Sequence, residues 1–241
     1  MTADGGLLAS PDHLVAVAVT AVLCIGVVVA ARTRPGGWTP WFSRGLAAFL
    51  AGWFVADQLY RIARGTWDVE TNLPLELTDA VTLIAALALL GGGALVFELT
   101  YFWGLTGSLQ ATLTPALDAD EGFPGFYYWS FFAIHGGVVL AATVLAFGLR
   151  MTPRPGAVRR VFAVTLAWAA LVGAADLVTG GNYMYLREKP DTASLLDYLG
   201  PWPLYLVAAA AVALALFALL DLPFRRRRRR AASGETRAHL Y

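Results

Sequence analysis

Long apolar stretches alternate with short polar segments along most of the chain. An α-helix needs roughly 20 apolar residues to cross a bilayer, and the stretches have about this length. They predict seven transmembrane helices, at about residues 12–31, 43–63, 74–92, 95–114, 127–149, 158–179 and 202–222. Prolines lie at the predicted ends, where a missing N–H costs least. The pattern therefore predicts an all-α membrane protein built as a bundle of seven transmembrane helices.

Composition supports a membrane protein. Hydrophobic residues make up 58% of the 241 residues and charged residues 15%, whereas soluble domains carry about 25% charged residues. We expect one transmembrane domain over residues 1–224 and a basic cytoplasmic tail over residues 225–241. Cys24 is the single cysteine, which excludes an intrachain disulfide.

The arginines predict an orientation. They cluster in the first and fifth predicted loops and after the seventh helix, at Arg32, Arg34, Arg44, Arg150, Arg154, Arg159, Arg160 and Arg225 to Arg230. With seven spans these segments fall on one side, which the positive-inside rule assigns to the cytoplasm. We therefore expect a multi-pass protein of the cell membrane with its N-terminus outside. The final arginine run predicts contact with anionic lipid headgroups, and nucleic-acid binding is not expected.

Polar residues of five predicted helices fall at one depth, near the outer side. They are Asp57, Glu76, Thr78, Asp79, Gln110, His135 and Asp176, and Asn182 and Tyr183 follow just beyond. Ionisable groups are costly in hydrocarbon and mark functional sites by default. The shared depth therefore predicts one polar pocket that opens to the outside.

Within this layer, Thr78 and His135 suggest nucleophilic chemistry. A hydroxyl becomes a nucleophile when a nearby imidazole takes its proton, and Asp79, Asp57 or Asp176 could orient that imidazole. Simpler interpretations exist for each residue. His135 could bond helix to helix, and Thr78 could bond the carbonyl one turn back. Glu76 and Asp79 could pair with arginines near the outer surface.

Several motifs together resemble a known family. They are LPLELTD (73–79), ELTYFWGLTGSLQATLTP (98–115), FPGFYYWSFFAIHG (123–136), GGNYMYLREKP (180–190) and SLLDYLGPWPLYL (194–206). In this order they resemble the bacterial YwaF-type integral membrane proteins, which are similar to the eukaryotic transmembrane protein 164, a phospholipid acyltransferase. The first motif of that family usually reads LPLHLCD, with cysteine as the proposed acyl-carrying nucleophile.

Two positions of this motif differ here. Thr78 stands at the position of the family cysteine and Glu76 at that of the motif histidine, whereas His135 matches the histidine of the later helix. A Thr/His pair resembles that of the androgen-induced membrane hydrolases of fatty esters. The resemblance thus implies lipid acyl-ester chemistry with threonine in place of cysteine.

The leading functional hypothesis is a membrane-embedded acyltransferase or hydrolase of lipid acyl esters. Thr78, His135 and Asp79 are the expected catalytic residues. The expected substrate-binding residues are Asp57, Glu76, Gln110, Asp176, Asn182 and Tyr183. Membrane lipids are the expected partners, and no cofactor or metal is expected, since one histidine among carboxylates does not favour zinc. The alternative is a non-catalytic transporter or receptor that binds a small molecule in the same pocket. A retinal protein is excluded because the seventh helix lacks lysine.

Overall fold

The fold is entirely helical in the part of the chain that the structure describes, a computed structural model covering residues 10–115, 117, 122–190 and 195–238. Residues 1–9 of the predicted domain and 239–241 of the predicted tail lie outside these ranges. The main helices are α1 (Pro11–Thr33), α2 (Trp38–Arg64), α3 (Leu77–Leu89), α4 (Ala94–Trp103), α5 (Leu109–Leu113), α6 (Phe126–Thr143), α7 (Ala157–Thr179) and α8 (Leu204–Ala238).

Two π-helical turns lengthen these helices. Gly104–Ser108 joins α4 and α5 into one continuous rod, and Val144–Gly148 extends α6. With α4 and α5 taken as one continuous helix, the described ranges contain seven main helices in the order of the seven predicted spans. Four helical segments are long and apolar enough to cross a membrane: Pro11–Thr33, Phe126–Gly148, Ala157–Thr179 and Leu204–Arg226. The predicted all-α fold is confirmed.

Helix α3 is shorter than the sequence pattern predicts. It has 13 residues, a length of about 20 Å at 1.5 Å per residue, against a hydrocarbon core of about 30 Å. The apolar pattern extends to residue 92. However, Gly91 and Gly93 adopt positive φ angles, of 91° and 92° respectively, and turn the chain into α4. Irregular backbone at membrane depth is tolerated only where protein buries it or a cavity solvates it. The segment before α3 must therefore be packed within the bundle.

Helix α6 lies at the centre of the bundle. In the apolar segment of the span Phe126–Gly148, 61% of the residues are buried, whereas 11% are buried in that of α1 and 17% in those of α7 and α8. Helices α1, α2, α3 and α4 all pack against α6. The outer helices expose large apolar side chains such as Val22, Leu177 and Val178. Such extended apolar exposure indicates a lipid-facing surface.

A buried carboxylate fixes the bundle at the end that carries residues 150–156. The Glu98 side chain is fully buried and accepts hydrogen bonds from the guanidinium groups of Arg154 and Arg160, at 2.8–3.2 Å. The hydrogen bond to Glu98 raises the pKa of Arg154. Asp221 binds Arg225 and Arg228 in the same manner. Both carboxylates at this end are thus already neutralised by two arginines each.

The glycine pair after His135 permits close helix packing. A Cβ at Gly136 would meet Thr20 Oγ1 of α1 at 2.8 Å, and one at Gly137 would meet Leu50 Cδ2 of α2 at 2.8 Å. Small residues allow this approach between membrane helices. The two glycines that follow His135 therefore let α1 and α2 pack closely against two sides of α6.

We predict that Gly136→Ala destabilises the protein by about 1–3 kcal/mol, since overpacking forces neighbours to shift. Thr20 cannot easily turn away, because its hydroxyl bonds the Ala16 carbonyl at 2.9 Å. Gly26→Ala is the control, since a Cβ there meets nothing within 4 Å. The measurement is the free energy of unfolding in detergent micelles. Equal stability of the two variants would contradict the close α1–α6 packing.

Candidate functional site

A small cavity lies between the ends of α2, α3 and α6. Its volume is about 120 Å³, and its lining residues are Asp57, Arg61, Thr78, Asp79, Leu117, Tyr127, Ser130, Phe131, Ile134 and His135. Four residues predicted from sequence are among them: Asp57, Thr78, Asp79 and His135. Helices α3 and α6 pack against each other, which brings together the helices that carry Thr78 and His135.

Thr78 differs from most helical threonines in this protein. The hydroxyls of Thr20, Thr82 and Thr100 donate to the carbonyl four residues earlier, at 2.7–2.9 Å. Thr78 lies in the first turn of α3, so the residue four positions earlier, Pro74, precedes the helix. Within the described ranges the Thr78 hydroxyl has no hydrogen-bond partner. The start point of α3 thus leaves this hydroxyl available at the cavity.

His135 is held in one tautomer by its own helix. Its Nδ1 lies 2.8 Å from the Phe131 carbonyl oxygen, and its ring stacks on that of Phe131 with centroids 4.1 Å apart. A carbonyl can only accept a hydrogen bond, so Nδ1 carries the proton and Nε2 is the basic nitrogen. Nε2 has no partner among the described residues. The Phe131 carbonyl, and not a carboxylate, therefore orients the imidazole.

Thr78 and His135 do not bond each other directly. Among the described residues, no hydrogen bond joins the Thr78 hydroxyl to His135, although both line the same cavity. The Asp79 carboxylate also lines the cavity, and it accepts a hydrogen bond from the Glu76 backbone N–H at the start of α3. The space between the groups is therefore open to water or to a reacting group.

Asp57 belongs to a network with Ser130 and Arg61, two residues that the sequence analysis did not assign to the pocket. One carboxylate oxygen accepts from Ser130 Oγ at 2.9 Å and the other from Arg61 Nε at 2.8 Å. The Arg61 guanidinium also lies 4.7 Å from the Tyr127 ring centroid. The sequence feature that could have identified Ser130 is its position in α6, five residues before His135 in an otherwise apolar segment. This network brings a second hydroxyl and a cation to the cavity.

Gln110 and Asp176 do not line this cavity. Gln110 is exposed, whereas Asp176 is fully buried on α7. Asp176 Oδ1 accepts the Tyr183 N–H at 2.9 Å, and its Oδ2 has no partner among the described residues. The prediction of one pocket from shared depth was therefore wrong for both residues: Gln110 is exposed, and Asp176 forms a separate buried cluster with Tyr183.

The buried cluster anchors the segment that precedes α3. Tyr183 is central to it, because its hydroxyl accepts from the Leu73 N–H and donates to the Val69 carbonyl, each at 2.8 Å. The Met184 N–H donates to both carboxylate oxygens of Glu76, at 3.1 and 3.2 Å. Trp168 Nε1 donates to the Leu75 carbonyl at 3.2 Å. These contacts fix residues 73–76 and so determine where α3 begins.

Asn182 stabilises the loop that carries Tyr183. Its Oδ1 accepts the N–H groups of Arg187 and Glu188, and its Nδ2 donates to the Glu188 carbonyl. Asn182, Tyr183 and Glu76 thus lie in contacts that position Thr78, and none of them lines the cavity. In the described part of the chain, no three His, Cys, Asp or Glu residues are grouped so that they could hold a metal ion.

The fold and its buried polar site define a helical membrane protein. A model of the TMEM164 family matches residues 8–221, so the chain belongs to the TMEM164 family. No curated protein and no solved structure matches the chain.

We predict that Tyr183→Phe destabilises the protein by about 1–3 kcal/mol, because two part-buried hydrogen bonds, from the Leu73 N–H and to the Val69 carbonyl, are lost and each contributes about 0.5–1.5 kcal/mol. Tyr198→Phe is the matched control, since Tyr198 is 87% exposed. The free energy of unfolding of both variants is the measurement. An unchanged stability for Tyr183→Phe would mean that residues 69–73 are held by other contacts.

Proposed function

We propose that the protein is a lipid acyl-ester enzyme, an acyltransferase or hydrolase, in which Thr78 is the nucleophile and His135 the general base. One observation carries the proposal: a hydroxyl and a basic imidazole nitrogen, both without partners in the described ranges, line the same cavity. The resemblance of the LPLELTD segment to the nucleophile motif of a phospholipid acyltransferase supports it.

The reaction begins with Thr78 Oγ attacking the carbonyl carbon of a lipid ester while its proton passes to His135 Nε2. The tetrahedral intermediate collapses, the ester C–O bond breaks, and the imidazolium returns the proton to the departing lipid alkoxide. The acyl group is then an ester of Thr78. Attack by water gives hydrolysis and attack by a second lipid hydroxyl gives transfer. His135 again accepts the proton of the attacking group, and it returns that proton to Thr78 Oγ as the bond between Thr78 Oγ and the acyl carbon breaks.

Two features of the site favour this chemistry. Thr78 lies in the first turn of α3, where the positive end of the helix dipole stabilises developing negative charge on oxygen. Arg61 lines the same cavity and supplies a cation for the oxyanion or for the lipid phosphate. Asp57 holds Arg61 in place through its 2.8 Å hydrogen bond.

The volume of the cavity limits what it can hold. About 120 Å³ is less than half of the roughly 300 Å³ at which typical small-molecule sites begin. The reacting ester therefore occupies the cavity, while the acyl chains lie along the apolar surface of the bundle.

Transport through the bundle is less well supported. A translocation path requires polar groups that continue to the opposite side, whereas Leu50, Val81 and Val138 are fully buried apolar residues in the core. The buried Thr82 and Thr100 hydroxyls are already bonded to carbonyls of their own helices. The cavity is therefore one-sided, as an enzyme of the membrane surface requires.

The same proposal includes seven spans in the cell membrane, with the N-terminus outside and the arginine-rich end in the cytoplasm. The basis is the positive-inside rule. A reporter fused after Arg230 should be cytoplasmic, and a reporter inserted before Pro11 should be external. The reverse result would put the cavity in the other leaflet.

We predict that Thr78→Val lowers the release or transfer of labelled acyl groups from phospholipid vesicles by at least about 100-fold, the usual contribution of proton-transfer partners. His135→Gln should cause a similar loss, and the double variant little more, since members of one catalytic unit fail together. Thr78→Cys should retain activity, because a thiolate is a stronger nucleophile.

The matched control is Thr82→Val, one turn further along α3. The Thr82 hydroxyl bonds the Thr78 carbonyl at 2.7 Å and does not line the cavity, so this variant should keep near-native activity. Native turnover by Thr78→Val would remove Thr78 from the mechanism.

A further inference from the structure

A second, larger cavity lies at the opposite end of the bundle from Thr78. Its volume is about 350 Å³, and it is bounded by the last turn of α1, the α1–α2 connection, the first turn of α2 and the residues after the second π turn. Arg32, Arg150 and Thr39 are its polar lining residues. This volume lies within the range of about 300–1,000 Å³ that is typical of small-molecule sites.

The cavity carries uncompensated positive charge. Its lining includes two arginines and no carboxylate. The buried carboxylates at this end of the bundle, Glu98 and Asp221, already bind other arginines. The charges of Arg32 and Arg150 are therefore not neutralised by either of these groups.

Both guanidinium groups have N–H donors that form no hydrogen bond within the described residues. Arg32 Nε donates to the Phe147 carbonyl at 2.7 Å, which fixes the side chain while its two terminal nitrogens have no partner among the described residues. Arg150 forms no hydrogen bond or ion pair within those residues. Guanidinium groups bind phosphate oxygens through paired N–H donors, so the arrangement suits a phosphate group.

The backbone at Arg150 is strained. Its φ of 60° is a left-handed conformation that favours glycine and costs free energy for other residues. The conformation is imposed by the turn, since Leu149 N–H donates to the Val144 carbonyl at 2.8 Å and Met151 N–H to the Leu145 carbonyl at 3.0 Å. An arginine in this position is an outlier of the kind that clusters at ligand sites.

Apolar surface continues from the cavity along α1. Val29, Ile25 and Val22 precede Arg32 by three, seven and ten residues and share its helix face. They are 52%, 66% and 67% exposed. On the other side of the cavity, Trp41 of α2 is 71% exposed, as is typical of side chains at a membrane–water interface. A ligand with a phosphate in the cavity could therefore lay acyl chains along α1.

We propose that this cavity binds the phosphate group of an anionic membrane phospholipid. The site is separate from the cavity of Thr78 and does not depend on the proposed catalytic function. It also differs from the arginine run at Arg225 to Arg230, because its ligand occupies a defined cavity with two specific arginines.

The test uses the full chain, purified in detergent, and native mass spectrometry with added phosphatidylglycerol or phosphatidylcholine. The variants are Arg150→Gly and Arg32→Gln. Each arginine near an anionic lipid surface contributes a factor of about five in binding, so each variant should bind phosphatidylglycerol roughly fivefold more weakly. Binding of phosphatidylcholine should not change. Arg150→Gly should fold well, because glycine adopts the left-handed conformation without strain.

Arg34→Gln is the matched control. Arg34 lies two residues after Arg32 and is exposed, but it does not line the cavity, so this variant should bind phosphatidylglycerol as the native protein does. Equal weakening by all three substitutions would indicate diffuse surface attraction and overturn the site. Loss of bound phosphatidylglycerol at millimolar inorganic phosphate would assign the cavity to a soluble phosphate and overturn the lipid assignment.

Discussion

Hydrogen-bond pairing of the irregular backbone before α3 is the constraint on which the site depends. An unpaired N–H or carbonyl inside an apolar bundle costs several kcal/mol, so the irregular backbone of residues 73–76 requires partners. The Tyr183 hydroxyl accepts the Leu73 N–H and the Trp168 indole donates to the Leu75 carbonyl, while the Met184 N–H binds the Glu76 side chain. These contacts start α3 at Leu77 and leave the hydroxyl of Thr78 without the carbonyl that threonines elsewhere in the helices bond.

The polar residues around the start of α3 therefore form two groups with different roles. Glu76, Asp176, Asn182 and Tyr183 hold the loops and the start of α3, through contacts that are mostly with backbone groups. Thr78, Asp79 and His135, together with the Asp57–Arg61–Ser130 network, line the cavity. This division gives Glu76 a structural role, since its side chain accepts the Met184 N–H and does not line the cavity.

Much of the fold was predictable because the hydrophobic pattern records helix order and approximate length. The pattern could not show that α3 ends early, since Leu90 is as apolar as the residues before it and only the conformations of Gly91 and Gly93 terminate the helix. For the site, shared depth correctly placed Thr78 and His135 at one level. Depth carries no information about direction around a helix axis, so Gln110 and Asp176 were assigned to a cavity that they do not line. Ser130 was overlooked because a single serine in an apolar helix usually bonds its own backbone.

The most direct test of the central claim is to identify the residue that becomes covalently modified. The protein would be treated with a lipid-tailed fluorophosphonate, which reacts with hydroxyls activated by a neighbouring base, and the modified peptide would be identified by mass spectrometry. We predict that the label is on Thr78 and that it falls sharply in His135→Gln. A label on Ser130, or labelling of Thr78 that is unchanged without the imidazole, would contradict the Thr78–His135 mechanism.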